Sequence, residues 1–122
     1  MQRHMQQETD TQLSKLLLIK SEFELAFFHA NSISDTDRTI LFKYQNDNIF
    51  YHFAENAIIR KESGISDTLF SGNYSYRVLR EDKFLSRLVL YISQNGNEYQ
   101  LTFDKTYFPN FLLRNKELSF EY

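Results

Sequence analysis

The N-terminal part of the chain has the apolar spacing of an amphipathic helix. Thr9, Asp10 and Thr11 offer N-caps, and neither glycine nor proline occurs between Thr11 and Ala30. At about 100° per residue, six apolar residues fall on one stripe, which is expected to pack on the rest of the domain. They are Leu16, Ile19, Phe23, Ala26, Phe27 and Ala30. We predict a helix over about 10–30.

A second group of apolar residues lies on roughly the opposite side of this helix. It comprises Leu17, Leu18, Leu25 and Phe28, with Ser14 and Ser21 between them. A helix on the surface of a globular domain needs only one apolar face. Either loops of the same chain cover the second face, or it meets another chain. Leu17, Leu18, Leu25 and Phe28 are therefore the candidate partner interface.

Beyond Asn31 the period of the apolar positions changes from that of a helix to that of a strand. The polar segment 31–37 ends the helix, and apolar residues then alternate in RTILFKYQ, in IFYHFA and in AIIRKE. Two or three turn-forming residues separate these segments, which predicts a β-meander. The turn residues are Asn46-Asp47-Asn48, Glu55-Asn56 and Ser63-Gly64.

The second half of the chain continues the strand pattern. SDTLFSG leads into NYSYRVLRE, and RLVLYIS and YQLTFDKTY then flank Asn95-Gly96, the strongest two-residue hairpin signal. We predict six or seven antiparallel strands over about 38–106 and a C-terminal tail at 107–122. The predicted fold is α+β, a single domain over 1–122 in which a long N-terminal helix packs across an antiparallel β-meander sheet.

The length, net charge and residue composition of the chain argue against several classes of function. A chain of 122 residues suits one domain, and a net charge of −2 supplies no basic field for nucleic acid. Aromatic and basic residues alternate in LFKY and YSYRVLR, which places them on opposite faces of a strand, so the aromatics are expected in the core rather than on a nucleic-acid platform. Cysteine is absent from the sequence, which excludes thiolate chemistry and disulfides.

Candidate catalytic and metal-binding residues are few. His52 could act with Asp47 or Glu55 as its orienting carboxylate, but polar residues at hairpin ends explain all three. Asp35 and Asp37 could contribute to a calcium loop, yet the glycine and the distal glutamate of an EF-hand are missing. Glycine-rich phosphate motifs are also missing. We expect no catalytic residues, no cofactor and no metal site.

The order of these elements, and several residues at the meander turns, resemble a known family. The chain is similar to the minor pseudopilins of type II secretion systems, particularly the J type, and to the related minor pilins of competence pili. The similarity extends from about Leu13 to Phe103. The matching residues are Ile40, Phe42, Tyr44, Asp47, Ile49, Tyr51, Glu55, Asn56, Ile58, Arg60, Asp67, Leu69 and Phe70.

The resemblance implies a pilin-like fold and a non-enzymatic role as an assembly subunit of a type II secretion or type IV pilus-like filament. It implies that Leu17, Leu18, Leu25 and Phe28 meet other pseudopilin subunits through the N-terminal helix. It also implies a position on the periplasmic side of the cell envelope, with an inner-membrane anchor that the given sequence does not include.

The alternative function is a soluble α+β binding module. In that case the helix and the sheet would enclose a pocket for an apolar ligand, lined by Phe23, Phe27 and the aromatic residues of the strands.

Overall fold

A computed structural model describes the backbone of residues 2–107 and the side chains of residues 14–107. One helix precedes eight strands. The elements are α1 Gln2–His29, β1 Ser32–Thr36, β2 Thr39–Lys43, β3 Asn48–Ala54, β4 Ala57–Glu62, β5 Ile65–Ser71, β6 Asn73–Glu81, β7 Phe84–Gln94 and β8 Asn97–Asp104. The six strands expected from alternation, β2–β4 and β6–β8, are confirmed.

The predicted fold class is wrong, and so is the pilin-like arrangement of a helix on one meander sheet that the resemblance implies. Over residues 14–107 the chain is mostly β: 62% of these residues lie in two antiparallel sheets, and 16 residues lie in α1. The prediction was instead a long helix packed across a single meander sheet. The first sheet has the order β1-β2-β3-β4-β5 and the second the order β6-β7-β8. Each sheet has an apolar inner face, so both sheets close over one core. Of the predicted tail, residues 108–122 lie outside the described residues.

Two strands were missed because their sequences carry little alternation. β1 lies in the polar segment that the sequence indicated as the end of the helix, and β5 is largely exposed. The turn before β2 uses Asp37 and Arg38, both at positive φ (45° and 66°), and arginine is not a residue that indicates such a turn. The side chain of Arg38 supports this turn, because its Nε donates to the carbonyl of Phe53 at 2.7 Å.

The chain passes from the first sheet to the second at Gly72. Its φ of 147° lies in a region that is essentially restricted to glycine. A Cβ at this position would lie 3.0 Å from the buried ring of Phe70, and the Gly72 N–H donates to the carbonyl of Asn56 at 2.9 Å. A side chain would therefore disturb both the backbone and the core at the point where the chain changes sheets.

The core is formed by the inner faces of both sheets and the predicted stripe of α1. The six stripe residues are all at most 7% exposed, which confirms that part of the prediction. Phe23 lies at the junction of the three layers. Its ring centroid is 4.8 Å from that of Tyr51, 5.4 Å from that of Phe103 and 6.2 Å from that of Phe42. Aromatic contacts therefore join α1 to both sheets.

Polar contacts hold the two sheets together at their margins. The hydroxyl of Tyr107 accepts from the N–H of Ile33 at 3.1 Å and lies 2.9 Å from the carbonyl of Leu85, which connects β1 to β7. Arg80 of β6 donates from Nε to Asp35 of β1 at 2.8 Å. The Tyr107 hydroxyl satisfies buried backbone groups where the two sheets meet, whereas the Arg80–Asp35 pair is exposed at their margin.

Replacing Tyr107 by phenylalanine tests this connection. We expect Tyr107→Phe to lower the free energy of unfolding at neutral pH by about 1–3 kcal/mol, because buried backbone groups lose their partner. Burial also raises the pKa of Tyr107 to about 12. The unfolded state loses this proton first, at a pKa of about 10, so the stabilisation is complete below pH 10 and falls as pH rises towards 12.

The measurement is urea unfolding followed by circular dichroism at pH 7 and at steps between pH 10 and 12. The difference between the wild-type protein and the variant should shrink over the alkaline steps. Tyr91→Phe, on the outward face of β7, is the control for removal of a hydroxyl. A difference that stays constant up to pH 12 would contradict the assignment.

Candidate interaction surface on the helix

The outward face of α1 is apolar and uncovered by any described residue. Leu17 is 61% exposed, Leu18 66%, Leu25 59% and Phe28 79%. Of the two interpretations offered by the sequence, cover by loops of the same chain therefore finds no support among residues 14–107. The structure brings the four residues together on one face, and their role as a partner interface stays a prediction.

The spacing along this face is that of a helix–helix seam. Leu18, Ser21, Leu25 and Phe28 follow one another at intervals of three, four and three residues, and all four side chains are exposed. Intervals that alternate between three and four residues keep the same side of a helix facing a second helix along its length. Ser21 is small, so a partner could approach the backbone closely there. The shape and chemistry of the face thus suit another α-helix.

A polar cluster sets the rotation of α1 about its axis. Tyr51, which is 1% exposed, donates its hydroxyl proton to Oε2 of Glu22 at 2.7 Å. Nε of Arg60 lies 3.2 Å from the same oxygen, and Nη2 of Arg60 donates to Glu62 at 2.6 Å. Burial, followed by the bond to Glu22, raises the pKa of Tyr51, so its hydroxyl remains a donor. With Glu22 held on the flank, the apolar face points away from the sheets.

Grooves lie along both flanks of this face. One, of about 280 Å³, separates Leu25 from Tyr44 and Arg60, and another, of about 220 Å³, lies between Phe28 and Asp104. They extend the surface available to a partner beyond the four exposed side chains.

A further groove of about 500 Å³ lies at the C-terminal end of α1, next to Phe28 and Tyr107. Lys105 lines this groove, and its Nζ donates to the carbonyl of Ala30, which caps the end of the helix. Burial lowers the pKa of Lys105.

The structure does not assemble a catalytic group around His52. His52 lies half-buried on the outward face of the first sheet, with Nδ1 3.1 Å from the hydroxyl of Thr39. Asp47 and Glu55 lie in the turns at opposite ends of β3. The interpretation of these two residues as turn residues accounts for their positions.

The two candidate calcium ligands, Asp35 and Asp37, take part in an ion pair and a turn, respectively. Both carboxylate oxygens of Asp35 accept hydrogen bonds from Arg80, and Asp37 occupies the β1–β2 turn. Among the described residues, no group of three His, Cys, Asp or Glu side chains is arranged to hold a metal ion.

The aromatic residues of LFKY and YSYRVLR pack in or against the core, as the alternation predicted, whereas Phe50 of β3 and Tyr91 of β7 lie on outward faces. Phe42 is fully buried, and the ring centroids of Tyr76 and Phe53 lie 4.4 Å apart. The space between Phe23, Phe27 and the strands, which the alternative function requires to be a pocket, is occupied by their own rings. Phe27 lies 5.4 Å from Phe42 between centroids.

Sequence reasoning missed the cluster of Glu22, Tyr51 and Arg60. Its members come from α1, β3 and β4, and no local spacing relates them. A weak signal was available, because Glu22 lies on the helix flank next to the buried stripe. Identifying its partners required the register of β3 and β4, in which Tyr51 lies opposite Arg60.

Comparisons with protein-family models, with curated proteins and with solved structures each return no match.

No helix within the described residues combines the length and the apolar character needed to cross a membrane.

Substitutions on the two faces of α1 should change the free energy of unfolding by very different amounts. Phe23→Ala should lower the free energy of unfolding by about 3–5 kcal/mol, since it empties a fully buried site in contact with both sheets. Phe28→Ala should change it by about 0.5 kcal/mol or less, because the ring is mostly exposed. Urea or thermal unfolding measures both. A large loss for Phe28→Ala would show that the outward face contributes to the fold itself.

Proposed function

We propose that this chain is a structural subunit of a type II secretion or type IV pilus-like filament. It acts by protein–protein contacts rather than by catalysis. The observation that carries the proposal is the outward face of α1, where Leu17, Leu18, Leu25 and Phe28 remain 59–79% exposed while the opposite face is buried. Large exposed apolar patches on one element mark sites of protein interaction.

The partner is the helix of a neighbouring pseudopilin subunit. The alternating three- and four-residue spacing of Leu18, Ser21, Leu25 and Phe28 favours a helix over a sheet or a loop as the occupant. The rigid attachment of α1 through Phe23 and Glu22 supports this role, because a subunit in a filament must present its contact face in a defined direction.

The full-length protein lies on the periplasmic side of the inner membrane and is held there by an apolar segment N-terminal to the present chain. This part of the proposal rests on the resemblance of the meander and its turn residues to minor pseudopilins. The alternative, a binding module for an apolar ligand, is not favoured, since the rings of Phe23 and Phe27 fill the space that the ligand would need.

Site-specific crosslinking tests the partner. The chain contains no cysteine, so Leu25→Cys or Phe28→Cys introduces a single thiol into it. In the native host, a heterobifunctional crosslinker that reacts with a thiol at one end and with an amine at the other should join either variant to a second pilin-like subunit, which mass spectrometry would identify. Leu79→Cys, an exposed apolar position on the second sheet, is the control and should give no such product. Crosslinks only to unrelated proteins, or equal products from the control, would refute the proposal.

The DNA upstream of the Met1 codon tests the anchor independently. We expect an open reading frame that encodes about 20 apolar residues, preceded by a prepilin-type processing site. A translation start mapped to Met1 by N-terminal sequencing of the native protein would contradict the proposal.

A further inference from the structure

A second surface that no described residue covers lies on the side of the first sheet opposite α1. It is the outward face of the first sheet, formed by the residues of β2, β3 and β4 that alternate with the core residues. Phe50 is 39% exposed, and Leu41 and Ile59 are half-buried although they point away from the core. Sequence reasoning assigned these strands one apolar face and did not interpret the second.

The strand register groups these side chains into one patch. Leu41 lies directly opposite Phe50, and His52 lies directly opposite Ile59. Phe50 and Ile59 are then diagonal neighbours, a separation that aromatic side chains bridge. Ala54 and Ala57, another outward-facing pair, extend the apolar surface at one end.

The charged side chains at the outward strand positions of the patch have one sign, while the carboxylates Asp47 and Glu55 lie in the turns beyond the two ends of β3. Phe50 is paired with Lys61 on one side, and Lys43 ends β2 next to it. The outward positions of β2–β5 otherwise carry hydroxyl, amide, histidine and apolar side chains, and none of them is Asp or Glu. This is a local excess of positive charge on a chain whose net charge is −2. The patch is therefore apolar at its centre and cationic at its rim.

We propose that this outward face, defined by Leu41, Phe50, Ile59, Lys43 and Lys61, binds a protein segment that presents apolar side chains flanked by carboxylates. Leucine or phenylalanine side chains of the segment cover the Phe50 patch, and its carboxylates pair with the two lysines. Such an arrangement excludes water over the apolar centre and leaves the ion pairs at the rim, as in other protein interfaces.

The composition of the face favours a protein segment over the other anionic partners. A single-stranded nucleic acid needs several stacking aromatics and a basic track along the phosphates, whereas the face offers one exposed phenylalanine and two lysines. An anionic membrane surface attracts clusters of four or more basic residues. Two lysines set on either side of an apolar centre suit discrete carboxylates.

This surface is independent of the proposed filament contact. Phe23 of α1 packs on the inner face of the first sheet, through Phe42 and Phe53, so the outward face lies beyond the core from the helix. Both surfaces can be occupied at once. A subunit could therefore contact its neighbours through α1 while the sheet holds a different protein.

The test is a methyl and amide NMR titration of the whole chain with a synthetic peptide that alternates glutamate with leucine and phenylalanine. Saturable shifts should appear at Leu41, Phe50 and Ile59 and weaken as salt is added. Phe50→Ala, or Lys43→Glu together with Lys61→Glu, should reduce the affinity roughly tenfold or more. Lys15→Glu with Lys20→Glu, exposed on the helix, makes the same change in net charge and should leave the affinity unaltered.

Any of four outcomes would overturn the proposal. The first is that a peptide with lysine in place of glutamate shifts the same residues equally, and the second is that the acidic peptide shifts none of them at any soluble concentration. The third is that vesicles containing phosphatidylserine, or a single-stranded oligonucleotide, bind the face in place of the peptide. Self-association that Phe50→Ala abolishes in sedimentation would assign the face to a second copy of the chain. Leu25→Ser should retain peptide binding, which separates this test from that of the filament contact.

Discussion

The packing of Phe23 against aromatic residues of both sheets is the interaction on which the rest of the structure depends. Its ring contacts Tyr51 and Phe53 in the first sheet and Phe103 in the second, so one side chain joins three layers. Aromatic rings bury large areas at a small cost in side-chain entropy, which suits a short chain that must stabilise two small sheets. The hydrogen bond from Tyr51 to Glu22 depends on the orientation of α1, so it fixes the rotation of the helix about its axis.

Once the helix is fixed in this way, its outward face cannot turn inward. The apolar residues left on that face, and those on the outer side of the first sheet, lie on opposite sides of the domain. Apolar surfaces of this kind are where binding of another molecule would remove apolar area from water. Their chemistry differs, because the helix offers an uncharged seam whereas the sheet offers a phenylalanine between two lysines. The proposals above therefore give them different partners.

Alternation and turn chemistry were sufficient to predict six strands, the hairpin at Asn95-Gly96 and the buried stripe of α1. They failed for β1 and β5, whose side chains are too polar or too exposed to alternate, and for the turn at Arg38, which depends on a hydrogen bond to Phe53. The candidate surface on the helix was predictable because it lies on one element with a fixed period. The surface on the sheet was not, since its grouping depends on the pairing of three strands.

The sequence alone determined the helix and six of the eight strands among the described residues, because helix and strand periods are properties of neighbouring residues. It also determined that the helix has two apolar faces. Only the tertiary structure decided which face is buried, that the strands divide into two sheets at Gly72, and that Glu22, Tyr51 and Arg60 meet. The physical reason is that these outcomes depend on contacts between residues distant in the chain, where the best fit of the whole core outweighs any local preference.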